Sequence, residues 1–109
     1  MILNIQSNGL LIEQSVIKLL HQKINKLSRL YKEIIGSDIN FRTEKASANE
    51  VKICEIRLIV PSYDLLASAQ CKTFEEAIAE TSEALERQIE KRKTKLKRET
   101  ISLKKKHIS

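Results

Sequence analysis

The chain has 109 residues, is 41% hydrophobic and carries two Phe, two Tyr and no Trp, which allows one domain with a single aliphatic core and excludes two. Its net charge of +6 is uneven: Arg87 to Ser109 holds ten basic and two acidic residues, a balance of +8, while the residues before are slightly acidic. No apolar run reaches the roughly 18 residues of a membrane span, the start MILNIQSNG lacks a basic leader region, and two cysteines are too few for a disulfide framework.

Those exclusions predict a cytoplasmic protein with two reduced, structural thiols, Cys54 and Cys71. The cationic end predicts a polyanionic partner, nucleic acid ahead of an acidic membrane, because no helix is basic on one side and strongly aromatic on the other.

Met1 to Ser7 alternates, with Leu3 and Ile5 on one face, and predicts a short strand closed by the turn pair Asn8-Gly9. From about Glu13 the period changes to that of a helix, with a stripe of Val16, Leu20, Ile24, Leu27, Tyr31 and Ile34. Gly36 is expected to end it in a left-handed conformation, and Glu13 is a weak N-cap. Three strands follow, around Ile39 to Thr43, Cys54 to Val60 and Leu65 to Cys71, each with one apolar face. EKASANE, between the first two of these, lacks apolar periodicity and reads as a mobile loop; Pro61-Ser62-Tyr63-Asp64 reads as a tight turn.

The last helix begins with Thr73 and Glu76, a T-x-x-E capping box. Its stripe is Phe74, Ile78, Leu85, Ile89 and Leu96, with Ala77 and Ser82 beside it. Residues 1–98 are expected to form the domain and residues 99–109 a basic, disordered tail. The order βαβββα makes the first two strands parallel through a right-handed crossover and adds the others by hairpins. The fold class is therefore α+β, a two-layer sandwich of a four-stranded mixed sheet with two helices on one face.

Enzyme motifs are missing. With only Gly9 and Gly36 there is no phosphate-cradling loop, and neither G-x-S-x-G nor H-E-x-x-H occurs. His21 lies off the apolar stripe and reads as an exposed or capping imidazole. Glu75, Glu76, Glu80, Glu83 and Glu86 read as solvated carboxylates, the first of them complementing the helix dipole. No catalytic residue, metal, cofactor or small-molecule substrate is expected.

The segment LERQIEKRKTKLKR, Leu85 to Arg98, carries the binding expectation. Dipole stabilisation acts within about one turn, whereas the basic residues continue for three. At about 100° per residue, Arg87, Lys91 and Lys95 form one ridge, and Lys93 and Lys97 fall on the opposite flank. In the first helix Lys23 and Lys26 sit beside the apolar stripe, with Arg29 and Lys32 further round. If the helices lie side by side, Lys23 and Lys26 border a groove beside the Arg87 ridge, a bipartite surface suited to following RNA phosphates.

The strand start MILNIQSNG, QKINKLSRLY in the first helix, ASAQCKTFEEAI and LERQIEKRKTKLK, in this order from Met1 to about Arg98, resemble the short form of the ribosome hibernation promoting factor and ribosome-associated inhibitor A family. The resemblance implies a fold related to double-stranded RNA-binding domains. It also implies docking on the small ribosomal subunit and its rRNA at the decoding region, where the family blocks mRNA and tRNA and silences ribosomes when growth stops.

Carried over by residue, the family's RNA-binding positions fall on Lys23, Lys26, Arg87, Lys91 and Lys93, with Arg29 and Lys95 beside them; the free protein is expected to be a monomer. Lys72-Thr73-Phe74 stands where many members have an acidic residue and D-x-Y, so a tyrosine hydroxyl is absent. The short form also lacks the C-terminal domain that joins two ribosomes in long-form members. Other readings of the same charge are a general double-stranded RNA-binding module acting away from ribosomes and an adaptor for an acidic protein.

Overall fold

The computed structural model describes residues 2–46 and 48–108, with side chains described over 2–45 and 48–94. The elements are β1 (Ile2–Gln6), α1 (Gln14–Leu30), β2 (Gly36–Ala46), β3 (Asn49–Ile59), β4 (Leu65–Cys71) and α2 (Phe74–Ile108). The strands lie in the spatial order β1-β2-β3-β4, β1 parallel to β2 and the other pairs antiparallel. This is the predicted α+β arrangement: a four-stranded mixed sheet, with α1 and α2 closing one core against one face.

Local chemistry explains most element ends. Asn8 and Gly9 have φ of 53° and 78°, and Leu10 N–H donates to the Ser7 carbonyl at 2.9 Å; two successive positive φ values make a type I′ turn, for which Asn-Gly is the favoured pair. The Asn8 amide also donates to Asn40 Oδ1 and to the Phe41 carbonyl, at 2.7 and 2.8 Å, which ties the turn to β2. Glu13 makes no side-chain cap for α1. Thr73 does cap α2, its hydroxyl accepting from Glu76 N–H at 3.2 Å.

Alternation on the strands sorts the core. Ile39, Phe41, Cys54, Ile56 and Leu58 turn toward the helices and are at most 1% exposed. They meet Leu20, Ile24 and Leu27 of α1 and Ile78, Leu85 and Ile89 of α2. Each such burial stabilises by about 1.5–3 kcal/mol before entropy is counted. Phe41 and Phe74 meet edge to face, with centroids 5.1 Å apart. Thr81 is a polar residue buried among them, its hydroxyl 2.7 Å from the Ala77 carbonyl and 3.2 Å from that of Cys54.

Two sequence expectations are corrected. EKASANE is mostly strand: β2 and β3 pair continuously out to Ala46 opposite Asn49. Backbone pairing in this hairpin does not require an apolar face, so periodicity missed its outer arms. Gly36 is not a left-handed helix end. α1 stops at Leu30, Tyr31 is extended at φ −137°, and Gly36 opens β2 opposite Ile2. A Cβ there would stand 3.3 Å from the Ile2 carbonyl oxygen, a tight contact, so glycine suits the close approach of the two strands. Tyr31 and Ile34 still join the core from the non-helical connection, which is why the helical stripe looked longer than the helix.

Candidate nucleic-acid interface

The two helices run parallel. Lys26 Nζ is 3.3 Å from a Glu86 carboxylate oxygen, and Lys93 Nζ donates to the Leu30 carbonyl at 2.7 Å. Residue numbers rise together along this seam. Lys23, one turn before Lys26, lies on the same flank of α1 and is half-buried, while Lys26 and Arg29 are exposed.

On α2 the contacts define directions. Ile78, Leu85 and Ile89 face the core. Glu86 and Lys93 face α1. Gln88 Nε2 donates to the Leu66 carbonyl at 3.0 Å, and Arg92 donates to the Tyr63 carbonyl at 2.9 Å, so that flank faces β4 and the hairpin before it. Arg87 and Lys91 are exposed. At about 100° per residue they point outward and lean toward the Gln88 and Arg92 side.

The expected groove between the Arg87 ridge and the Lys23 and Lys26 flank is therefore not formed. Lys23 and Lys26 border α2, but their neighbours are Glu86 and Lys93; the ridge of Arg87 and Lys91 lies beyond Glu86, away from α1. Helical angles had separated Lys93 from the ridge correctly, but only tertiary packing shows which flank turns to α1. The side chains of Lys95, Leu96 and Lys97 lie outside the described residues, as do those of 99–108, whose backbone continues α2 to Ile108 where a disordered tail was expected.

Sequence reasoning passed over Arg92 and Tyr63. The Arg92 guanidinium sits over the Tyr63 ring, 3.7 Å from its centroid. Arg92 is 8% exposed, and its Nε and second terminal nitrogen have no hydrogen-bond partner among the described residues. The signal was in the period: Arg92 lies within about 20° of Leu85 on the helix, on the apolar side. An Arg placed there must run its stem along the core and find a partner at its edge.

The sheet face away from the helices differs in kind. Asn4, Gln6, Asp38, Asn40, Glu55 and Arg57 line a shallow cavity of 600 Å³, crossed by amide contacts such as Asn4 Nδ2 to Asp38 Oδ1 at 3.0 Å. Its mixed charge, with Arg42 3.6 Å from Glu55 and Arg57 4.0 Å from Asp64, does not favour a polyanion.

Among the described residues no group of His, Cys, Asp and Glu could hold a metal, and no helix is long and apolar enough to cross a membrane. His21 is exposed. Burial pushes the Cys54 thiol up to about 12, against a weaker opposing hydrogen bond with Thr81. Burial raises Cys71 as well, followed by its hydrogen bond with Glu80 and the charges of Glu80 and Glu76. Neither is an activated nucleophile, since a reactive cysteine needs its thiolate favoured.

Comparison with known proteins agrees with this architecture. A ribosomal subunit interface protein from Coxiella burnetii shares the fold at a TM-score of 0.76 and 21% identity, covering 86% of this chain and 99% of its own. The N-terminal domain of Thermus thermophilus Protein Y does so at a TM-score of 0.64 and 16% identity, covering 82% and 93%. Among curated proteins nothing matches. A family model described as Sigma 54 modulation protein / S30EA ribosomal protein matches residues 3–97. That span takes in α1, β2, β3 and β4 whole, nearly all of β1 and α2 as far as Lys97, and in accord with the resemblance read from its motifs, the chain belongs to this family.

Proposed function

We propose that the protein is a ribosome hibernation factor. It binds the small ribosomal subunit at the decoding region, occupies the path of mRNA and tRNA, and inhibits translation in stationary phase or stress, making and breaking no bond itself. The observation that carries this reading is the exposed Arg87 and Lys91 ridge on a helix whose opposite side is locked to the sheet by Leu85 and Ile89. A fixed row of cations suits phosphate positions on folded RNA better than a mobile tail does. Membership of the family and the name of the Coxiella burnetii relative, a ribosomal subunit interface protein, support a ribosomal partner.

In this reading residues 1–98 form the binding domain, and residues 99–109 a basic tail whose charge adds to the field. Lys23, Lys26, Arg29, Arg87, Lys91, Lys93 and Lys95 meet rRNA phosphates, and the free protein is a monomer in the cytoplasm. Lys93 serves in two ways: one ammonium proton goes to Leu30, and two remain for a phosphate.

Binding to purified small subunits across a salt series tests it. With roughly six phosphates neutralised, log affinity falls against log salt with a slope of about −4 to −5, and Lys91→Ala flattens the slope by about one. Footprinting should show protection in the decoding region. Salt-insensitive binding, protection confined to the solvent side, or equal affinity for a plain RNA duplex would overturn it.

A further inference from the structure

Tyr63 has features that the phosphate reading does not use. It occupies the turn between β3 and β4, and the residue is 63% exposed. Tyr31 and Phe41 are buried, and Phe74 is half-buried against Phe41. An aromatic left in solvent in so aromatic-poor a chain is held there by several contacts. Arg92 covers one ring face and also bonds the Tyr63 carbonyl. Asp64 accepts from Val60 N–H at 3.2 Å and closes the turn.

Since one face is occupied and the ring remains mostly exposed, the opposite face is open. The platform borders the cations, because Arg92 directly follows Lys91 and Gln88 directly follows Arg87, and Gln88 bonds β4 at Leu66 while Arg92 bonds the turn at Tyr63. Recognition of an unpaired nucleotide needs a flat aromatic face beside a cationic path for the backbone. The guanidinium on the far side attracts the ring and holds it in one orientation, which leaves the other face presented to solvent.

We propose that Tyr63 is a stacking platform for an unpaired RNA base, with Arg92 as the positioning residue and Arg87 and Lys91 as neighbouring phosphate contacts. The proposal rests on the RNA-binding reading above and adds a base contact to it. It also gives the Arg87 ridge its partner, in place of the Lys23 and Lys26 flank.

The test uses the full chain bound to purified small ribosomal subunits. Irradiation at short wavelength followed by mass spectrometry should find a nucleotide crosslinked to Tyr63 in the unmodified protein. Tyr63→Leu should weaken subunit binding about tenfold, while Tyr63→Phe, which keeps the ring, stays within about twofold. Lys91→Ala is measured in parallel. If Lys91→Ala weakens binding and Tyr63→Leu does not, the platform is wrong and the phosphate reading survives. If the unmodified protein does not bind subunits, both fall. Crosslinks confined to other peptides, or equal losses for Tyr63→Leu and Tyr63→Phe, also overturn the platform, and the crosslink result needs no variant to fold.

Discussion

Lys93 of α2 reaches across the helix seam and donates to the Leu30 carbonyl oxygen at 2.7 Å, so a cation from one helix closes the C-terminal end of the other. The last carbonyls of α1 have no intrahelical partner and carry the negative end of its dipole. Lys93→Met keeps the stem and removes the charge. It should lower unfolding stability by about 0.5–1.5 kcal/mol in urea, and an unchanged midpoint would show that the contact contributes nothing.

Glu86 places one negative charge inside the basic layer, paired with Lys26. Because Lys26 is exposed and Glu86 only half-buried, Glu86→Gln should change stability by less than about 1 kcal/mol. Its effect on binding should be larger: a released Lys26 and one fewer repelling carboxylate give tighter small-subunit binding and a steeper salt slope. Weaker binding by this variant would mean that the pair orients Lys26 for its target.

Gly36→Ala distinguishes close approach from left-handed geometry. The added Cβ, 3.3 Å from the Ile2 carbonyl, must push β1 from β2, at a cost of about 1–3 kcal/mol. Hydrogen exchange should speed at the β1 amides and leave the β3 and β4 ladder unchanged. Uniform protection in the variant would show that the strands absorb the methyl.

Cys54 makes stability depend on alkaline pH. Its thiol ionises near 9.0 when unfolded and near 12 when folded, so the unfolded state loses its proton first. The contribution is fully present below pH 9.0 and is lost as pH rises from there toward about 12. Unfolding measured from pH 8 to 11 should show declining stability, with a smaller decline in Cys54→Ala relative to its own value at pH 8. A thiol reagent at pH 8 should label half-buried Cys71 before Cys54; the reverse order would contradict the burial.

Legibility in the sequence followed the range of the interaction. Asn8-Gly9, Thr73 with Glu76, and the alternation of Leu65 to Cys71 are local signals, and each produced the expected turn, cap or strand. The end of α1 was misread because Tyr31 and Ile34 stay in the core at helical spacing after the helix has stopped. The outer arms of the β2–β3 hairpin were missed because cross-strand pairing joins Glu44, Lys45 and Ala46 to Val51, Glu50 and Asn49, while Glu44, Lys45, Asn49 and Glu50 are exposed and show no apolar face.

Site residues divided in the same way. That Arg87 and Lys91 share an outward direction follows from helix geometry alone. That Lys93 meets Leu30 and Arg92 meets Tyr63 depends on contacts between residues far apart in the chain, which no window of sequence displays.

From the strand order we expect a particular sequence of events during folding. β2, β3 and β4 follow one another through short hairpins, whereas β1 reaches β2 only after the chain has closed around α1, with Ile2 opposite Gly36. Closing the longer loop costs more entropy and is favourable only once its docking surface exists. The meander from Gly36 to Cys71 is thus the template on which β1 and the α1 stripe assemble. Core substitutions in β3, such as Ile56→Val, should mainly slow folding, and Leu3→Ala in β1 should mainly speed unfolding.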